Sequence, residues 1–265
     1  MVLKKMNNRK EVFLLIFLVF LLIAINYNFL DGKLKEFMKD SEIANVQRII
    51  DGDTIVVNNG THVRLLGINT PEKNELYHDE AMNFLSSLIS NKTIRLEFGP
   101  EKTDLYGRTL AYVILDSENI NVEQVRNGFA NYYIYNNDEY TQQLRNAWSE
   151  CIAKNINLCK KSQDICGNCI ELKNFDVKNQ NATFYNRCDF DCDLTGWDIK
   201  DEGRKHFAFE NFVLGKNKYV SVIVGNKTNT ESSLYWKDYS YVWTSSGDSL
   251  FLRDKMGGLV LWSSY

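Results

Sequence analysis

Proline is almost missing from this chain of 265 residues, at two in all, and glycine is held to fifteen. Those low counts exclude a fibrous or proline-rich low-complexity protein. Histidine is scarce as well. His62, His78 and His206 stand far apart and fit no metal-ligand spacing, so loop or surface positions are expected of them. Positive charge is not in excess: 31 Lys and Arg face 34 Asp and Glu, for a formal net charge of −3 and a pI near 5.7. Bulk electrostatics therefore gives no pull on a polyanion, and a nucleic-acid partner would need help from a bound cation. Cysteine is absent from residues 1–150; all six lie between Cys151 and Cys192. What remains is ordinary globular material, 44% hydrophobic and 25% charged, long enough for two modest domains of roughly 100–150 residues each.

The first thirty residues stand apart. Lys4, Lys5, Arg9 and Lys10 precede an unbroken apolar run from Val12 to Ile25, loosely continued to Leu30. A run of this length fits a signal-peptide core, and the looser span approaches the ~20 residues that cross a bilayer. Tyr27 sits where an interfacial aromatic belongs, and no small-x-small cleavage site follows. The expectation is an N-terminal transmembrane anchor or signal segment over residues 1–30, the anchor being favoured, with everything after it membrane-tethered outside the cytoplasm or secreted. Cysteine usage agrees. Cys166 and Cys169 have zinc-like spacing, but no second pair of that spacing and no nearby histidine complete a site, so disulfides of open connectivity are expected.

Residues 31–42 are polar and read as a linker. From Val46 the texture is that of short strands, at 46–50, 55–57, 62–68, 93–98 and 109–115, with a turn at Asn58-Asn59-Gly60. Helical spacing appears over 79–90, 122–127 and 140–154. Five short strands with segregated helices predict a small OB-type barrel over residues 43–161. Beyond Lys160 the chain is rich in cysteine and poor in helix. Strand-like pieces at 170–175, 183–185, 197–199, 207–209, 219–224, 241–242, 249–253 and 259–263 predict a β-sandwich over 165–265. The fold class is thus mostly β.

Three segments carry chemistry. Asp51-Gly52-Asp53-Thr54 is a tight turn that sets a carboxylate beside backbone carbonyls, an arrangement suited to hard cations. The same turn also serves backbone geometry alone. Arg64-Leu-Leu-Gly-Ile-Asn69-Thr70-Pro71-Glu72 follows within and after a strand. An arginine fork matches two phosphate oxygens, and a carboxylate such as Glu72 can take a proton from water. Thr103-Asp104-Leu105-Tyr106-Gly107-Arg108 supplies a second arginine after a turn. Two arginines and a carboxylate around a cation site form a set that phosphodiester cleavage can use.

In order and separation, IIDGDTI, RLLGINTPE and TDLYGR resemble the staphylococcal nuclease (thermonuclease) family, from about Val46 to Lys160. The resemblance implies a five-stranded OB barrel with three helices and a Ca²⁺-dependent nuclease acting on DNA and RNA. Asp53 then matches a calcium-binding aspartate, and Thr70 a threonine that offers its backbone carbonyl. Arg64 and Arg108 match phosphate-binding arginines, Glu72 the general base, and Tyr133 and Tyr135 tyrosines near the nucleotide. Asn69 departs from the family, standing where a second calcium-binding aspartate is expected. An amide oxygen still coordinates Ca²⁺, at weaker affinity, and another divalent ion is an open alternative. Residues 43–160 hold 11 Lys and Arg against 15 Asp and Glu, 11 − 15 = −4, which predicts weak binding with modest salt dependence.

Asp193-Leu-Thr-Gly196-Trp197 with Asp201, supported by Leu234-Tyr-Trp236 and Gly247-Asp248-Ser-Leu-Phe-Leu-Arg253, resembles the lamin tail domain, an immunoglobulin-like sandwich. That resemblance implies a binding or tethering role whose partner stays open. Trp197 is expected in the core. Cys188 and Cys192 are expected to staple a loop to the strand at Cys169. Taken together, the sequence predicts an extracytoplasmic endonuclease with nucleic acid as substrate. The alternative is a non-catalytic surface module that binds without cutting.

Overall fold

The computed structural model describes residues 8–27, 40–134, 137–245 and 247–265, with residues 8–11 and Asn59 described by backbone alone. Helix α1 (Asn8–Ile25) belongs to a separate N-terminal unit; Glu42–Tyr265 forms one compact unit. Among the described residues no helix is long and apolar enough to cross a membrane, which corrects the expected anchor. The 18 residues of α1 open on Arg9, Lys10 and Glu11. The apolar remainder reaches about 21 Å at ~1.5 Å per residue, short of a hydrocarbon layer of about 30 Å.

The barrel is built from β1 (Ser41–Ile49), β2 (Thr54–Val57), β3 (Thr61–Leu65), β5 (Thr93–Thr103) and β6 (Thr109–Leu115), where β4 (Ile68–Asn69) is a short spur between them. Strands β3, β2, β1, β5 and β6 are neighbours in that order, and a parallel pairing of β3 with β6 closes the ring. Closure removes the open edges that a five-stranded sheet would otherwise expose. The expected strand over 62–68 is broken in two. Gly67 takes φ +74°, and a Cβ there would lie 2.6 Å from Leu144 Cδ1, so the chain turns and β4 pairs with β8 (Asn131–Tyr132) instead. Helices α2 (His78–Ile89), α3 (Ile120–Arg126) and α4 (Thr141–Lys154) pack onto the barrel; strand β7 (Glu118–Asn119) leads into α3, and the Asn119 side chain caps that helix. Leu85, Ile89, Val122, Val125, Leu144 and Trp148 from these helices are buried with Val46, Ile55, Val63 and Leu96 of the barrel.

The C-terminal half is a sandwich. One sheet runs β9 (Ile170–Asp176), β10 (Asn181–Asn186), β15 (Tyr219–Val224) and β16 (Ser233–Trp236). The other runs β13 (His206–Ala208), β12 (Asp198–Lys200), β17 (Ser249–Arg253) and β18 (Leu259–Ser264), with β11 (Cys192–Asp193) and β14 (Val213–Leu214) as a separate pair. Trp197 lies in the core, fully buried, as expected. The expected strand at 241–242 is not one, whereas Ser233–Trp236, not foreseen as a strand, pairs in parallel with β15. Three disulfides join Cys151 to Cys159, Cys166 to Cys192 and Cys169 to Cys188. Cys188 therefore meets Cys169 as foreseen, whereas Cys192 takes Cys166.

The two halves share a core. Trp148 of α4 packs edge-on against Phe251 of β17 at 5.3 Å and Trp262 of β18 at 6.1 Å, and Tyr132 joins the same aromatic group. Phe251 and Leu259 are buried among the barrel's residues rather than the sandwich's. The connection at 160–162 is pinned by backbone bonds from Leu259 N–H to Lys160 O (2.7 Å) and from Ser162 N–H to Leu259 O (2.9 Å). Arg253, buried, donates 2.6 Å to Leu158 O; burial lowers its pKa to about 10.

Candidate functional site

The turn between β1 and β2 fixes the first group. Asp53 N–H donates to Asp51 Oδ1 (3.0 Å), while Ile50 N–H donates to Thr54 O (2.9 Å). Gly52 allows a close approach: a Cβ there would stand 2.7 Å from Ala81 Cβ and 2.8 Å from Thr70 Cγ2. Its carbonyl accepts a 2.6 Å bond from buried Gln124 Nε2, which ties the turn to α3. Burial and the neighbouring charge of Asp53 push the Asp51 carboxyl up. This pair of carboxylates would gain from a cation. Asp51 was legible in the turn motif, yet only the fold shows it burdened in this way.

Asp53 is the hub. It is buried, Oδ2 accepts from Thr70 N–H (3.0 Å) and pairs with Arg64 Nη2 (2.9 Å), and Oδ1 accepts from the Thr54 hydroxyl (3.1 Å). Arg64, in the ladder between β2 and β6, also donates from Nη2 to Asn69 Oδ1 (3.1 Å) and from Nη1 to Leu65 O (2.8 Å). Asp53, Arg64, Asn69 and Thr70 thus form one bonded cluster. Its carboxylate and amide oxygens are of the hard kind that Ca²⁺ or Mg²⁺ selects. Among the described residues, however, no three His, Cys, Asp or Glu side chains stand together in a manner that could hold a metal. Asn69 adds an amide oxygen beside Asp53.

Glu72 lies two residues beyond Thr70, with its side chain 45% exposed. It makes no bond to the Asp53 cluster; its carboxylate pairs with Arg204 Nε at 2.7 Å, from the other half of the chain. Its backbone N–H donates to Glu75 Oε2 (2.8 Å), and Lys200 Nζ grips the same Glu75 carboxylate at 2.8 and 3.0 Å. Burial resists ionisation of Glu75, but the Lys200 bond and charge outweigh it and lower its pKa. Arg108 follows a loop closed by Asp104, whose Oδ1 accepts from the backbone N–H of Tyr106 and Arg108 (2.9 Å each). Arg108 Nε reaches Asp104 Oδ2 at 2.7 Å. The parallel register sets Arg108 two residues before Leu110, the ladder partner of Arg64. Of the three expected catalytic side chains only Arg64 touches Asp53, and it is buried; Glu72 and Arg108 take their partners elsewhere, from Arg204 and Asp104.

Tyr133 donates its backbone N–H to Gly67 O (2.7 Å). Burial, then the charges of Asp201, Asp248 and Glu202, push its hydroxyl pKa up. Tyr135 lies outside the described residues. A cavity of about 410 Å³ lined by Tyr77, Lys160, Lys161 and Lys255, among others, contains none of the expected site residues. His62 and His206 are exposed, and His78 bonds the Pro71 carbonyl through Nδ1 (2.9 Å).

Sequence reasoning missed the second half's share of the site. The hairpin β12–β13 turns through Asp201–Lys205, and the Gly203 carbonyl accepts a 2.6 Å bond from Asn69 Nδ2. Glu202 accepts from Ile134 N–H (3.0 Å) and from the Ser249 hydroxyl (2.6 Å), which lies 2.9 Å from the Tyr132 hydroxyl.

Fold and site together define a small closed barrel with an arginine–carboxylate cluster at one end, joined to a disulfide-stapled sandwich. Residues 62–161 match the family described as staphylococcal nuclease homologue, and residues 160–265 match the lamin tail domain. A thermonuclease of Staphylococcus intermedius is 36% identical over 143 residues, covering 49% of this chain and 85% of that protein. The thermonuclease of Staphylococcus hyicus is 35% identical over 123 residues, 42% of this chain and 73% of its own length. An uncharacterized endonuclease of Haemophilus influenzae is 35% identical over 120 residues, 43% of this chain and 66% of its own. The chain belongs to the staphylococcal nuclease family and carries a lamin tail domain as its C-terminal half.

Proposed function

We propose that this chain is an exported, divalent-cation-dependent endonuclease that hydrolyses phosphodiester bonds of DNA, RNA or both. The observation that carries the reading is the cluster of Asp53, Arg64, Asn69 and Thr70, with Glu72 two residues further on. Thermonuclease relatives that align over most of their own length support it. Three disulfides support export, since such bonds persist in oxidising compartments. Helix α1 then serves as a targeting segment.

Asp53, Asn69 and the Thr70 carbonyl would hold Ca²⁺ or another divalent ion, with Asp51 adding charge beside them. When bound, such an ion polarises a phosphoryl oxygen and offsets developing charge. The chain's own residues do the rest. Arg64 and Arg108 donate N–H groups to phosphate oxygens, and Glu72 takes the proton from the attacking water. Asp53 and Asn69 hold the Arg64 guanidinium in one direction, so little reorganisation is left for the reaction. Tyr133 would flank the nucleotide.

The commitment of Arg64 to Asp53, and the amide at position 69, favour the second reading, a surface module that binds without cutting. One experiment separates the two. The full chain is incubated with single-stranded DNA and RNA in Ca²⁺, Mg²⁺ or EDTA, beside Glu72→Gln. Cleavage that EDTA abolishes, reduced at least 100-fold in the variant as loss of a general base implies, supports the nuclease. A folded chain that cuts nothing with either ion leaves the binding module.

A further inference from the structure

One hairpin of the lamin tail domain touches the nuclease site at three points. Gly203 O accepts from Asn69 Nδ2, Arg204 Nε forms an ion pair with the Glu72 carboxylate, and Lys200 holds the Glu75 carboxylate that in turn accepts from Glu72 N–H. The backbone and the side chain of Glu72 are thus each fastened, one through Lys200 and Glu75, the other through Arg204. Nothing in the barrel domain is bonded to the Glu72 carboxylate among the described residues. An exposed glutamate samples several rotamers, and a base must stand within hydrogen-bond reach of its water.

We propose that the lamin tail domain completes the nuclease site, and that Arg204 is a positioning residue that aims the Glu72 carboxylate. The assignment rests on the nuclease reading. It gives the accessory domain a part in the chemistry besides any tethering. It also places a guanidinium near a barrel whose own balance is −4 by the count above.

Because the pair is solvent-exposed, with Arg204 56% and Glu72 45% accessible, the gain is bounded. Removing it should cost roughly fivefold in kcat. The test is steady-state cleavage of a short single-stranded DNA by the full chain, Arg204→Met, Arg204→Lys, Glu72→Gln and the double variant Arg204→Met/Glu72→Gln, each with its melting temperature. The expected result has four parts: kcat down about fivefold in Arg204→Met with KM unchanged, partial recovery in Arg204→Lys, no further loss when Glu72 is already Gln, and melting unchanged within ~2 °C. An unchanged or raised kcat in Arg204→Met overturns the assignment, as does an equal loss in both Glu72 backgrounds, which would mark an independent phosphate contact. A chain that cuts nothing before substitution overturns the nuclease reading itself, and the assignment falls with it.

Discussion

The Asn69 amide faces two ways: its oxygen accepts from Arg64 at 3.1 Å, and its nitrogen donates to Gly203 O at 2.6 Å. An aspartate satisfies the first relationship and cannot satisfy the second, because it has no hydrogen to give a carbonyl. The amide at position 69 therefore has a structural use inside this chain. It is the polar seam between two domains. Asn69→Asp should lower the melting temperature by about 4 °C in EDTA, the cost of a buried carbonyl left facing another oxygen. An equal or higher melting temperature would show that the seam does not depend on the amide.

Buried carboxylates on the same hairpin make stability depend on pH. Burial, followed by the charge of Asp248, raises Asp201 to about 7, and burial raises Glu202 to about 7. Folded-state values above the unfolded ones mean that the folded chain binds more protons. Their stabilising contribution is complete below about pH 4 and is lost as pH rises through about 7. Asp201→Asn keeps an oxygen to accept the Lys205 N–H and removes the charge. It should raise the melting temperature by about 3 °C at pH 8 and by clearly less at pH 5. Scans at both pH values check this; an equal shift at both would point away from titration.

The shared aromatic core predicts joint unfolding. Phe251 is fully buried and meets Trp148 edge-on at 5.3 Å. Phe251→Ala should cost about 3–5 kcal/mol, and urea unfolding of the wild-type chain should show one transition by both tryptophan fluorescence and far-UV circular dichroism. Two separated transitions in the wild type would contradict a common core.

The Cys169–Cys188 bond closes a separation of 19 residues within the sandwich. Replacing both cysteines with serine should cost about 2–4 kcal/mol, read as a lower urea midpoint. A midpoint unaffected by the change would mean that the loop is held by its packing alone.

Most of the site was legible because its parts are close in the chain. A turn of Asp51-Gly52-Asp53-Thr54, and a strand end that runs Asn69 to Glu72, place their groups through local geometry. The strands that carry them announce themselves by runs such as Thr54–Val57, all buried. The membrane anchor was misread because an apolar run from Val12 was extended through weaker residues, whereas α1 ends at Ile25 and opens on charged ones. The split at Gly67 was missed because a single glycine in an apolar stretch does not reveal whether the strand continues or turns. Gly203 and Arg204 were out of reach for a different reason. The Asn69–Gly203 bond spans 134 residues, and no spacing rule connects a barrel loop to a hairpin in another domain. The same holds for Phe251, whose membership of the barrel core follows from docking and not from its own strand.

The pinned junction at Lys160–Ser162 leaves no slack between the halves, since Leu259 bonds the connecting backbone on both sides. Many two-domain enzymes swing about such a junction; here these bonds and the shared aromatic core oppose a swing. Any surface gripped by the C-terminal half would hold the barrel's open end at a set angle, and substrate would have to approach from one side. Attachment would then dictate which way the enzyme faces as well as where it stays.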